Sequence, residues 1–119
     1  MPKKEVSCPV EITLEVIFGR WKVLIIHQLL EETKRFNQLQ RELRGITHRT
    51  LSKQLREMEA HGLVVRKDYR EIPPRVEYSL SELGKSLENV LLAMHEWGEK
   101  NGSKIRNETE FINGDRKDT

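Results

Sequence analysis

The sequence predicts a mainly α fold with a β-hairpin wing (α+β), a winged helix-turn-helix, on three observations. The stretch from Phe36-Asn37-Gln38-Leu39 to Leu55-Arg56-Glu57-Met58 reads as two short helices joined by a tight turn at Gly45-Ile46. The second of these helices carries basic side chains on its outer face, the arrangement that places one helix in a DNA major groove. An apolar and basic strand from Leu63 to Tyr69, a hairpin tip at Pro73-Pro74 and a second strand from Val76 to Leu80 then follow.

Taken in order, residues 1–7 are polar and are expected to be a flexible N-terminus. Pro9 suits the first position of a helix, with Cys8 before it. Ile12, Val16, Leu14 and Ile17 supply the apolar side, and the helix should end near Gly19. A second helix from about Arg20 to Leu30 is apolar nearly all round. Trp21, Leu24 and Ile25 project to one side, and Val23, Ile26 and Leu30 to the other, as expected for the buried centre of a domain. Asn37 with Gln40 resembles a capping box opening a third helix, with Leu39 and Leu43 inward, Phe36 at its entry and Gly45 ending it.

Thr47 is the expected N-cap of the fourth helix, with Ile46 and Leu51 as a hydrophobic staple. Leu51, Leu55 and Met58 form its core stripe and Gly62 ends it. With Leu51 and Leu55 inward, Arg49, Lys53 and Arg56 lie opposite, flanked by Thr50 and Ser52. The N-terminal half of a recognition helix is the part that reaches base edges, so His48, Arg49, Thr50, Ser52 and Lys53 are the candidates for sequence reading, with the N-cap Thr47 a further DNA-binding candidate. Arg56, one turn on, is better placed for a phosphate.

In the hairpin, Val64, Val65 and Tyr69 should pair against Val76, Tyr78 and Leu80. The tip presents Arg70 and Arg75 on a backbone stiffened by the proline pair, suited to a phosphate or an adjacent minor groove. Ser81 is expected to cap one last long helix with a stripe at Leu83, Leu87, Val90, Leu91, Met94 and Trp97. That stripe exceeds what a small domain can cover. Leu91, Met94 and Trp97, together with Ile12 and Val16 of the first helix, are therefore the candidate homodimer interface. Beyond Asn101 a polar tail, 102–119, is expected to be disordered, leaving one folded domain at 8–101.

Length and composition agree with this plan. With 119 residues, 36% of them apolar and 34% charged, the chain can build one domain with a modest core that a second subunit would enlarge. The apolar run Val23 to Ile26 stops at His27, and the lysine-bearing start lacks the apolar stretch of a signal peptide. No membrane partner and a cytoplasmic location are expected. Net charge is only +2, yet residues 34–75 hold eleven Lys or Arg against five acids, a surplus of six that leaves the remainder at −4. Positive charge gathered there is the footprint of a phosphate-contacting surface, so double-stranded DNA is the expected partner.

Cys8-Pro9-Val10-Glu11, Gly19-Arg20-Trp21-Lys22, Arg35-Phe36, Leu55 through Glu59, Gly62-Leu63, Pro73 through Leu80 and Leu83-Gly84 stand in an order and spacing that resembles the HxlR-type winged helix-turn-helix transcriptional regulators, relatives of the MarR group. The resemblance covers about 90 residues and implies a homodimeric regulator on a pseudo-palindromic operator, its first and last helices forming the dimer interface. Two departures stand out. Phe18 occupies a place where many members carry a small residue, and the tail after Asn101 follows no family pattern. The resemblance also makes Cys8 a candidate redox sensor, since several members respond to oxidants or electrophiles through the matching cysteine. As the sole cysteine it admits only an intersubunit bridge, a mixed disulfide or a sulfenic acid. Trp21 and Trp97 read first as plain core; by analogy with MarR relatives they would alternatively wall a small-molecule effector pocket.

A winged-helix module that binds protein instead of DNA is the alternative function; such modules usually lose the outward basic residues that Arg49, Lys53 and Arg56 supply here. An enzyme is not expected. His27, His48, His61 and His95 lie on separate segments with no metal-ligand spacing, and there is no second cysteine and no glycine-rich phosphate loop. Neither a metal nor a cofactor is expected. Structural roles suffice for the three histidines besides His48, with His27 at the interior edge, His61 at a helix end and His95 beside the apolar stripe.

Overall fold

Residues 8–113 are described in a computed structural model of the chain, with side chains described to 106. Residues 1–7 and 114–119, including the N-terminus expected to be flexible, lie outside the described residues. The chain divides between Glu88 and Asn89 into two compact units.

The first unit begins with α1 (Pro9–Ile17), which has Pro at its start and Cys8 as its N-cap. Only Ile17 of this helix is buried. Val10, Ile12 and Leu14 are more than half exposed, as is Phe18 just after it. Helix α2 (Arg20–Glu31) buries Ile25, Ile26 and Leu29 on one side, together with Lys22. Trp21 and Val23 are half-buried, and Leu24 and His27 are exposed, so the helix is apolar nearly all round but buried along one face only. His27 points to solvent and not to the interior edge.

Strand β1 (Lys34–Arg35) leads directly into α3 (Phe36–Glu42). The capping box expected at Asn37 and Gln40 does not form. The N-cap is Arg35, without a side-chain cap, because strand pairing fixes the chain there, and Gln40 instead donates from Nε2 to the Ile46 carbonyl at 3.4 Å. Leu39 and Leu43 face inward as expected. After Gly45, whose φ of 90° lets the chain reverse, comes α4 (His48–Ala60). Its end is a Schellman arrangement: Gly62, at φ 79°, donates to Glu59 and Leu63 donates to Met58, closing over two buried apolar side chains.

Strands β2 (Val64–Asp68) and β3 (Val76–Leu80) form the antiparallel hairpin, with Val64 opposite Leu80 and Asp68 opposite Val76. β1 adds to the other side of β3, Lys34 opposite Tyr78, giving the order β1-β3-β2. The hairpin thus supplies the central strand and one edge strand of a three-stranded sheet. Ser81 caps a helix as expected, but a short one, α5 (Glu82–Lys85); its hydroxyl accepts from the Gly84 amide and donates to the Gly62 carbonyl at 2.6 Å.

The expected single long helix from Ser81 is therefore two, and α6 (Glu88–Asn113) makes up the described part of the second unit. It runs through Gly102 to Asn113, past the boundary expected at Asn101. None of its described side chains is buried. Val90, Leu92, Met94, Trp97 and Ile105 are exposed and Leu91 is half-buried. Across the described residues no helix is long and apolar enough to cross a membrane.

A buried lysine ties the first unit together. Lys34, 2% exposed, donates from Nζ to Gln28 Oε1 (2.6 Å), Glu31 Oε1 (3.1 Å) and Glu42 Oε1 (2.6 Å), joining the end of α2 to β1 and α3. Burial alone would lower its pKa; the hydrogen bonds and charges of Glu42 and Glu31 outweigh that and hold it above the usual lysine value. Lys22 does the same work between α2 and α4, meeting Glu57 Oε1 at 2.6 Å. Hydrogen bonds from Lys34 and Lys22 hold the Glu42 and Glu57 carboxyls below their ordinary value of 4.5. A carboxyl whose pKa falls on folding adds stability above its unfolded pKa and loses it as pH drops through the folded one. The melting temperature of the wild type should thus fall as pH drops below about 4.5, and a Glu42→Gln, Glu57→Gln double variant should start lower at pH 7 but lose less on acidification. Equal acid sensitivity of the two in calorimetry would contradict the assignment.

Candidate nucleic-acid interface

Helix α4 has two faces of opposite character. Leu51, Leu55 and Met58 are buried along one, each contributing about 1.5–3 kcal/mol. This pins the rotation of the helix and turns Arg49, Lys53 and Arg56 to solvent. At its start the Thr47 hydroxyl accepts from the Thr50 amide at 3.1 Å and donates to the Thr50 hydroxyl at 3.0 Å, so the cap is built as expected. His48 is exposed, its ring centroid 4.6 Å from that of Phe36 at the entry of α3 and tilted 45° to it. Arg56 donates to Ser52 Oγ at 2.8 Å, which lays its guanidinium back along the helix. Thr47, His48, Arg49 and Lys53 are thereby exposed, with Thr50 and Ser52 half-buried on either side of the buried Leu51.

In the wing, Val65 is exposed opposite Ser79 and Tyr69 lies beyond the end of β2, and one of the two candidate arginines departs from expectation. Arg70 is exposed at the tip, in a left-handed conformation (φ 54°) that the hydrogen bond its backbone N–H donates to Asp68 Oδ1 (2.9 Å) helps to hold. Arg75 does not project. Its guanidinium lies 3.6 Å over the Tyr69 ring and pairs with Glu71 (3.1 Å) and Glu77 (3.3 Å), while the Tyr69 hydroxyl donates to Glu77. Two carboxylates and an aromatic face hold this arginine inside the wing, where it braces the tip, while its buried Nε has no hydrogen-bond partner. The proline pair stands beside it, exposed.

Internal pairing also alters the charge at the surface. Among the eleven cations of residues 34–75, Lys34 is buried and Arg75 is compensated, leaving Arg35, Arg41, Arg44, Arg49, Lys53, Arg56, Arg66, Lys67 and Arg70 exposed. Of the five acids, Glu42, Glu57 and Glu71 are each held by a cation. The surface around α4 and the wing therefore carries less opposing charge than the raw count suggests.

Sequence reasoning missed Lys34, Lys22 and Arg66. The Glu31–Lys34 spacing of three was a visible signal, but Glu42 and Glu57 reach their lysines only through the folded chain. Cys8 is exposed. Trp21, with Arg20 4.5 Å from its ring centroid, lines a shallow hollow with Leu24, His27 and Arg44. His61 is the C-cap of α4, and His95 lies 3.5 Å from Glu99 on α6. Among the described residues no three His, Cys, Asp or Glu side chains gather as a metal site.

A three-stranded sheet, a capped and outward-basic second helix of a helix-turn-helix, and a braced hairpin tip define a winged helix-turn-helix protein. Residues 16–106 match the family model described as HxlR-like helix-turn-helix, and the chain belongs to that family. It is 51% identical over 100 residues to the HTH-type transcriptional regulator YybR of Bacillus subtilis, covering 84% of this chain and 79% of that one. Among solved structures it is similar to the redox regulator HypR in its reduced form (47% identity, 84% of this chain and 99% of that one, TM-score 0.80). It is also similar to the reduced form of the transcriptional regulator YodB from B. subtilis (32% identity, 80% and 94%, TM-score 0.71).

The cap gives this site a direct test of its construction. Thr47→Ala should remove the Thr50 amide's acceptor and cost about 1 kcal/mol of stability in urea unfolding, while Thr47→Ser should cost much less. Equal losses in the two variants would contradict the cap.

Proposed function

We propose that this chain is a sequence-specific DNA-binding transcriptional regulator, not an enzyme, acting in the cytoplasm as a homodimer on a pseudo-palindromic operator. The observation that carries the reading is the fixed rotation of α4, which directs Arg49 and Lys53 away from the core on a surface whose acids are largely paired internally. In this reading His48, Arg49, Thr50, Ser52 and Lys53 meet base edges, the capped turn at Thr47 and Arg56 meet the phosphates, and Arg70 contacts the backbone or minor groove beside the wing. Arg75 supports Arg70 by holding the tip.

The second copy supplies cover for apolar surface. Ile12 and Val16 on α1, and Leu91, Met94 and Trp97 on α6, are exposed or half-buried in the single chain, and a dimer buries such surface at about 25 cal/mol per Å². Two α4 helices about 34 Å apart would then enter successive major grooves.

In a band-shift titration against the DNA upstream of its own gene, affinity should fall steeply with salt as counterions are released. Arg49→Glu with Lys53→Glu should weaken binding at least about 100-fold. Absence of a complex at low salt, or a salt slope near zero, would overturn the reading.

Cys8 is proposed as an oxidant-responsive thiol, supported by its exposure at the start of α1 and by the redox regulator among the similar structures. Two Cys8 thiols, one from each protomer, would lose two electrons and two protons to diamide, whose N=N bond becomes a hydrazine as the disulfide forms. Diamide should produce a dimer band on a non-reducing gel and change operator affinity, both absent in Cys8→Ser. If neither changes in the wild type, Cys8 is not the switch.

A further inference from the structure

Beside the recognition helix lies a hollow of about 400 Å³ lined by Ser52, Leu55, Arg56 and Glu59 of α4, Arg66 of β2 and Tyr78 of β3. Its two guanidinium groups differ from that of Arg75 in what holds them. Arg56 is held by the Ser52 hydroxyl. Arg66 is exposed and stands opposite Tyr78 in the β2–β3 ladder, so the two side chains share one face of the sheet. A neutral hydroxyl orients a guanidinium without neutralising it, whereas the two carboxylates on Arg75 do both. Glu59 is the one carboxylate lining the hollow, so its lining carries two cations against one anion.

We propose that this hollow seats a DNA backbone phosphate between Arg56 and Arg66, making Arg66 a positioning contact that sets how deeply α4 enters the major groove. The inference rests on the DNA-binding reading above. One sugar–phosphate strand separates a major groove from the adjoining minor groove. With α4 in the first and the wing tip over the second, that strand must cross the space between helix and hairpin, where this hollow lies. Phosphate contacts of this kind fix register and depth without reading sequence. Glu59 at the edge would disfavour a strand that sits too deep or off register.

The test uses the full chain and two duplexes, one from upstream of its own gene and one of the same composition in scrambled order, each titrated over a salt series. Arg66 is exposed on β2, so Arg66→Ala should fold, with circular dichroism as the check. Arg66→Ala should weaken binding to both duplexes by about tenfold and reduce the salt slope by about one. Glu59→Gln should tighten binding to both. Arg66→Lys should keep the wild-type slope but only part of the affinity, because it keeps the charge without the planar fork. If the wild type binds and Arg66→Ala leaves affinity and slope unchanged, or weakens only the upstream duplex, the phosphate seat is wrong while the regulator reading stands. Failure of the wild type to bind either duplex overturns both.

Discussion

Burial of Leu51, Leu55 and Met58 against the core is the constraint from which the interface follows. A helix is a rigid cylinder with about 100° between successive side chains, so fixing three of them fixes the rest. Arg49 and Lys53 face outward because these three face inward. The cap at Thr47 and the reversal at Gly62 set where the cylinder begins and ends. The core beneath it, from Ile25 and Ile26 through Leu39 to Leu63, supplies the surface against which that rotation is held.

Electrostatics refine what packing begins. Lys22 and Lys34 are drawn into the first unit and take Glu57 and Glu42 as partners, so they remove carboxylates from the outward field while bracing α2 against α3 and α4. Arg75 does likewise with Glu71 and Glu77 at the wing. A desolvated ion pair adds little net stability unless its geometry is good; Lys34, with three acceptors, is well satisfied. These pairs leave exposed cations around α4 and the wing that can act on a polyanion, because fewer neighbouring acids screen them.

Much of this was legible in the residues. The bounds of β3, the N-cap of α4 and its buried stripe follow from patterns a few residues long: alternation, a hydroxyl before a helix, and apolar spacing of four and three. What was not legible depended on distant partners. β1 is two residues long and has no periodicity of its own; it exists because β3 offers an open edge. That pairing displaced the capping box expected at Asn37. Arg75 read as a projecting cation because Glu71, Glu77 and Tyr69 converge on it only when the hairpin closes. Continuous apolar spacing from Leu83 to Trp97 hid the turn at Ser86-Leu87, where Gly84 and Ser86 break the helix into α5 and α6. Helix α6 also runs past Asn101, where polar composition suggested fraying.

The placement of α4 in the major groove is tested most directly by methylation interference on the upstream DNA. Guanine N7 projects into the major groove and adenine N3 into the minor groove, so dimethyl sulfate distinguishes the two. Two clusters of guanine N7 interference centred about one helical turn apart are expected, and they should vanish with the Arg49→Glu, Lys53→Glu protein. A complex that forms equally well on N7-methylated DNA would contradict the claim that the side chains after Thr47 read the major groove.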